Sequence, residues 1–218
     1  MLGLQFRKKH DEAKSGLNLL FLGAHCDDIE IGCGGTILRL IREYSIAHVT
    51  WVVFSSNPQR AAEAKNCAAS FLEEVASREI TIRDFKDGFL SQQYVEVKNH
   101  YEQIKKDLNP DIIFTHYQHD LHQDHRLLSE LAWNTFRNHL ILEYEIPKYD
   151  GDLGNPVVFV KLEEEMAEKK VAKLMEFYAS QQSKHWFDRE TFISILRLRG
   201  MQSASRYAEA FYSRKLVV

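Results

Sequence analysis

The chain has 218 residues, 44% of them hydrophobic, which is enough for one sizeable α/β domain and short for two, so residues 1–218 are read as a single domain. Its 28 basic and 31 acidic residues are mixed along the whole sequence and leave a formal charge of −3, which excludes a global field for nucleic acid or an anionic membrane surface. The opening MLGLQFRKKHDEAKSG is no secretory signal, no apolar run approaches a membrane span, and three cysteines without a CxxC pair argue against a disulfide framework, so a soluble, cytoplasmic protein is expected.

LNLLFLGAH, residues 17–25, is an apolar run that stops at a glycine, as a strand buried on both faces does. GGTILRLIREYS then spaces Ile37, Leu38, Ile41 and Tyr44 as a helix beginning near Gly34 to Thr36. AHVTWVVFSS reads as a second buried strand and PQRAAEAKNCAASFLEEV as a long Ala-rich helix. EITIRDF fits a third strand, QQYVEVKNHYEQIKKDL a third helix, PDIIFTH a fourth strand and HRLLSELAWNTFRNHL a further helix. Beyond residue 140 the pattern weakens: ILEYEIPKYDGDLGNPVVFVKL suggests a strand, a Gly/Pro-rich loop and a short strand, and EEEMAEKKVAKLMEFYASQ an amphipathic helix. Strands alternating with helices imply right-handed crossovers and a Rossmann-like, mostly parallel sheet flanked by helices. Ligands of such sheets bind beyond the carboxyl ends of strands, which makes the residues after each strand the ones to read.

After the first strand comes AHCDDIE, and after the fourth THYQHDLHQDHR, which holds His116, His119, Asp120, His122, Asp124 and His125. A lone histidine there is usually a hydrogen-bonding residue, and two aspartates before a helix can simply complement its positive end. Two such clusters meeting at one sheet edge read instead as a metal centre. The preferred ligands are His25, Asp28 and His125, with water in the open positions of a catalytic zinc. Cys26 beside His25 could bind zinc or act as a nucleophile, although Asp27 and Asp28 already supply charged oxygens, so a bland role is favoured. GCGG at a strand-to-helix turn could cradle a phosphate, but it lacks the GxGxxG spacing and the P-loop lysine.

AHCDDIEIGCGG and HQDHR together resemble the two-part signature of the PIG-L/LmbE-like family of zinc-dependent N-deacetylases, A/P-H-P-D-D-x-x-x-G-x-G-G and H-P-D-H-R. QRAAEAKNCAASFL, FKDGFL, YASQ and RYAEAF are similar to further family segments, so the resemblance runs from residue 17 to about 213. Cys26 and Gln123 stand where the family usually has proline, which is expected to loosen both loops. The resemblance implies one zinc per chain on His25, Asp28 and His125, with Asp27 as general base. His122 would polarise the oxyanion or assist the leaving amine, and Asp124 would orient a histidine. Arg60, Asp87, Arg199 and Tyr207 are the implied substrate-binding residues. The implied reaction removes an N-acetyl group from an amino sugar or its conjugate and releases acetate; the implied partner is that small molecule, and a homo-oligomer is compatible with the sequence. The rival readings are another metal-dependent amidase, a phosphoesterase whose second metal would need Glu30, His116 and Asp120, and a non-catalytic sugar-binding protein.

Overall fold

The computed structural model describes residues 16–217. Their seven strands form one sheet in the order β3-β2-β1-β4-β5-β7-β6, where β1 is Leu17–Gly23, β2 Ile46–Ser55, β3 Arg78–Phe85, β4 Ile112–His116, β5 Leu140–Tyr144, β6 Val158–Leu162 and β7 Tyr207–Tyr212. Strands β1 to β5 pair in parallel, and β7 runs antiparallel between β5 and β6. The helices are α1 (Asp28–Glu43), α2 (Pro58–Phe71), α3 (Tyr94–Asp107), α4 (Gln123–Thr135), α5 (Glu164–Phe177) and α6 (Arg189–Gln202). The expected mostly parallel α/β sheet is therefore observed.

Alternation along the strands splits the core between the two faces. Leu19 and Phe21 of β1 and Phe114 of β4 face a cluster with residues of α1, α2 and α5, whereas Leu20, Leu22 and Ile113 face residues of α3 and α4. The Phe21 and Phe114 rings stack with centroids 4.7 Å apart across the β1–β4 pair. That pair is where the direction of strand order reverses, the switch point at which a crevice opens beyond the carboxyl ends. His25 follows β1 by two residues and His116 closes β4, so the two clusters read from the sequence meet at this crevice.

Three features depart from the expected elements. α1 starts at Asp28, six residues before Gly34, and is interrupted at Cys33, whose φ of −143° and ψ of 17° are not helical. Its first turn thus carries the acidic motif. α6 and β7 had no signature in the sequence: the buried face of α6 is thin, with Phe192, Leu196, Arg199 and Gly200, and β7 buries a charged residue, Glu209, mid-strand. The glycines around the break serve close packing. A Cβ on Gly32 would lie 2.2 Å from Cδ2 of Tyr144, and one on Gly35 would lie 2.4 Å from Cδ1 of Leu162.

Tyr144 cannot retreat, because its hydroxyl donates to the Leu22 carbonyl at 2.7 Å inside the sheet. Gly32→Ala is therefore expected to cost about 1–3 kcal/mol through overpacking, read from the chemical denaturation midpoint. A variant as stable as the parent would contradict this close approach.

Candidate metal and catalytic centre

Asp28 Oδ2 is the hub of the crevice. It accepts the His25 backbone N–H at 2.7 Å and lies 3.2 Å from His25 Nδ1, 3.4 Å from His125 Nε2 and 3.3 Å from His116 Nε2. His25 Nδ1 and His125 Nε2 are themselves 3.1 Å apart. All of these residues are buried.

The proton positions follow from the outer contacts. His125 Nδ1 faces Asp120 Oδ2 at 2.9 Å, and Asp120, despite its burial, is held well below the ordinary carboxylate range by His125, His116 and Lys148. An ionised carboxylate only accepts, so His125 carries its proton on Nδ1 and turns the Nε2 lone pair inward. His25 Nε2 lies 3.1 Å from Asp87 Oδ1 and 3.5 Å from Asp124 Oδ2 without meeting hydrogen-bond geometry to either, and the two carboxylates favour a proton on that outer nitrogen, which leaves the Nδ1 lone pair inward. Two imidazole lone pairs and a carboxylate oxygen then converge within 3.1–3.4 Å of one another. Ligands bound at about 2.0–2.1 Å to one ion in tetrahedral or octahedral geometry are separated by roughly 2.8–3.4 Å, so the triangle has the right size for a metal. The local electrostatics make the same demand for positive charge. Burial opposes protonation of His25 and His125, yet the surrounding carboxylates, Asp28 foremost, raise both. Burial also opposes ionisation of Asp28, yet the three imidazoles hold it well below its ordinary value.

His116 is different. Burial, with His125 next, lowers it to about 4, and its Nε2 already meets the Ala24 N–H at 2.9 Å. As an acceptor from Ala24 or as a donor to Asp28, that nitrogen has no free lone pair. Glu30 accepts from the Tyr178 hydroxyl at 2.5 Å, and burial raises it to about 8. Asp120 is occupied by His125 and by Lys148 at 3.0 Å. Glu30 and Asp120 are thus committed elsewhere; among the described residues the groups spaced to hold an ion are His25, His122 and His125, then Asp28, His116 and His125, then His25, Asp87 and Asp124, so each contains His25 or His125.

Asp27 takes the N-cap position of α1 and accepts from Arg60 Nη2 at 3.0 Å. Burial raises its carboxyl to about 6, against the lowering pull of Arg60. Arg60 lies in the first turn of α2, whose N-cap Asn57 accepts the Arg60 N–H at 2.9 Å, and its Nη1 lies 3.7 Å from Asp87. His122 is the N-cap of α4; its Nδ1 accepts the Asp124 N–H at 3.2 Å, so the neutral ring keeps its proton on Nε2. Burial and the charges on His125 and His25 lower its pKa and favour that neutral form. Asp124 accepts from the backbone of Gly88 at 2.7 Å and Leu90 at 3.2 Å, which fixes the Asp87 turn beside His25.

The remaining sequence candidates fall into different places. Asp87 joins the centre through His25 and Arg60. Arg199 is buried and held by Glu145 through two contacts of 2.6 Å, and Tyr207 is buried in the core on β7. Lys148, which the sequence reading did not single out, stands behind His125 through Asp120 and pairs with Asp152 as well; a lysine in a polar loop gives no signal of such a contact. The positions that lack family prolines are anchored rather than loose: the Cys26 thiol points to the Ser55 carbonyl at 3.5 Å, and Gln123 Nε2 donates to the Gly88 carbonyl at 3.2 Å. The N–H groups that could have cradled a phosphate, those of Gly35 and Thr36, are taken by Glu209 at 2.8 and 2.6 Å.

A model of the family described as GlcNAc-PI de-N-acetylase, PIG-L, matches residues 20–136, more than half of the 218. The chain belongs to the PIG-L family. It is similar to the uncharacterized deacetylase YaiS of Escherichia coli K12, 28% identical over 163 residues that cover 72% of this chain and 88% of that protein. The same PIG-L fold is seen in the N,N'-diacetylchitobiose deacetylase of Pyrococcus horikoshii, with a TM-score of 0.64, 18% identity and coverage of 92% and 84% of the two chains. It is seen also in GalB, the 4-carboxy-2-hydroxymuconate hydratase of Pseudomonas putida KT2440, at TM-score 0.68, 18% identity and coverage of 93% and 98%. A fold that carries a deacetylase and a hydratase leaves the chemistry to be read from side chains.

Burial raises the thiol pKa of Cys26, Cys33 and Cys67 far above that of a free thiol. A neutral buried thiol neither binds zinc nor attacks. At pH 8 the native protein is expected to leave all three unreacted toward a thiol-specific disulfide reagent and to release three equivalents on unfolding; rapid labelling of Cys26 would return it to the catalytic residues.

Proposed function

We propose that this protein is a zinc-dependent N-deacetylase acting on a small N-acetylated amino sugar or its conjugate, with one zinc per chain on His25, Asp28 and His125. The observation that carries this reading is the convergence of three inward acceptor atoms beside a second carboxyl, Asp27, whose burial leaves it near neutrality. Zinc bound there would supply Lewis acidity toward a water molecule and a carbonyl oxygen.

The chain's own groups divide the remaining work. An amide resists water because its carbonyl is a weak electrophile and its nitrogen a poor leaving group, so a base, an oxyanion donor and a proton source are needed. Asp27 takes a proton from the attacking water; Arg60 keeps that carboxylate ionised and oriented. His122, neutral with its proton on Nε2, donates to the oxygen that gains charge or to the departing nitrogen. Asp124 and Asp87 hold His25 in its working tautomer, and Asp120, braced by Lys148, does the same for His125. The products are acetate and a free amine.

A ring-bearing substrate is supported by the loops at the mouth. Lys184 lies near enough to Asp27 to lower its pKa, and its Nζ sits 5.4 Å from the Trp186 ring centre. Tyr149, 71% exposed and next to Lys148, meets His185 at 5.1 Å and Trp186 at 6.4 Å between ring centres. Aromatic faces beside polar groups suit the CH faces and hydroxyls of a pyranose. A relative named a deacetylase agrees with the deacetylase reading, and a fold neighbour named an N,N'-diacetylchitobiose deacetylase agrees with the sugar reading.

The test is primary-amine release from N-acetylglucosamine, N,N'-diacetylchitobiose and N-acetyl amino acids by zinc-loaded protein. Sugars are expected to react faster; preference for N-acetyl amino acids would replace the sugar reading with an aminoacylase. Asp27→Asn is expected to retain zinc and lose about 10²- to 10⁴-fold in kcat, whereas His125→Ala loses zinc and activity together. Normal turnover by Asp27→Asn would remove the base assignment.

Arg60 yields a pH prediction. Because Arg60 lowers the Asp27 pKa, Arg60→Ala should raise it, and the carboxylate is then lost at a higher pH. The acid limb of kcat/KM is expected to move toward higher pH; a raised KM with an unmoved limb would make Arg60 a substrate ligand only.

A further inference from the structure

The break in α1 is held open by one buried ion pair from the far end of the chain. In an unbroken α-helix the Gly35 N–H would bond to the Ile31 carbonyl, four residues earlier. Here the Ile31 carbonyl accepts from Lys170 Nζ at 2.6 Å, while Gly35 N donates to Glu209 Oε1 at 2.8 Å and Thr36 N to Glu209 Oε2 at 2.6 Å. Lys170 and Glu209 are 2.6 Å apart, 1% and 3% exposed. The cation thus caps the carbonyl end of the first segment and the anion caps the N–H end of the second, the placement that helix dipoles favour. The missing side chain at Gly35 keeps this space open, since a Cβ there would stand 3.1 Å from Glu209 Oε1.

An uninterrupted helix would satisfy these backbone groups without help. The chain instead buries two charges to keep them apart, and what the break sets is the direction of the turn Asp28–Gly32, whose first residue is the hub of the centre. We propose that Lys170 and Glu209 are positioning residues for the metal: they touch neither metal nor substrate, but they fix the orientation from which Asp28 meets His25 and His125. The inference rests on the metal-centre reading above. It makes metal affinity, and not only stability, depend on α5 and β7.

The test compares zinc affinity, by competition with a chromogenic chelator, with thermal stability in Glu209→Gln, Lys170→Met, their double variant and Leu174→Ala. Leu174 lies one turn after Lys170 on α5 and is buried in the core without a polar contact to the break, so its truncation is the control for lost stability. Glu209→Gln keeps the shape and loses the charge, and is the variant on which the comparison turns. It is expected to bind zinc at least tenfold more weakly while folded, whereas Leu174→Ala loses stability and keeps its zinc affinity within twofold. In the double variant no buried charge is left without its partner, so stability should recover relative to the single variants, while the Ile31 carbonyl stays without its cationic cap and zinc affinity stays low. Wild-type zinc affinity in folded Glu209→Gln, or recovery of affinity together with stability in the double variant, would reduce the pair to a structural role. A wild-type protein that binds no zinc would overturn the metal-centre reading and this inference with it.

Discussion

Two imidazole nitrogens and a carboxylate oxygen that face one another at 3.1–3.4 Å in a buried crevice need a metal ion or a proton among them. The rest of the centre follows from that constraint. Each imidazole must be turned lone pair inward, which requires an outward acceptor, and Asp120 on one side with Asp87 and Asp124 on the other supply it. Those carboxylates need their own partners. Asp124 finds them in the backbone of the 88–90 turn and Asp120 in Lys148, so the polar order spreads outward in layers until it reaches solvent.

The sheet makes this affordable in chain length. β1 and β4 are neighbours although about ninety residues apart, and their carboxyl ends bring AHCDD and HQDHR together without a long loop. Adjacent aspartates on the turn between β1 and α1 then point differently: Asp28 is turned into the crevice toward three imidazoles, and Asp27 toward Arg60. One carboxylate could not be neutralised by histidines and near-neutral beside a guanidinium at the same time. The break at Cys33 gives that turn its own direction, independent of the remainder of α1, and the buried Lys170–Glu209 pair fills the gap that results.

Much of this was legible in the sequence because the informative signals were local. Apolar runs ending in glycine, serine or histidine located β1, β2 and β4, and residues with metal-binding chemistry right after β1 and β4 pointed to the candidate centre. What was not legible depended on contacts between distant segments. GGTILRLIREYS is helical by spacing, but the turn before it becomes visible only once Lys170 and Glu209 are known to satisfy the broken ends. β7 hides because Glu209 interrupts its apolar pattern, and α6 because only Phe192 and Leu196 among its apolar side chains are fully buried. Asp87 is singled out for substrate through the likeness of FKDGFL to the family, and an acidic residue on an exposed turn gives no sign that it also faces the outer nitrogen of His25.

The central claim is that His25, Asp28 and His125 bind one metal through the three atoms that converge. The most direct test is anomalous diffraction at the zinc edge from crystals grown with stoichiometric zinc. The account predicts a single strong peak about 2.0–2.2 Å from His25 Nδ1, His125 Nε2 and Asp28 Oδ2. A peak bound through His116, or on the outer side of His25 between Asp87 and Asp124, would contradict it.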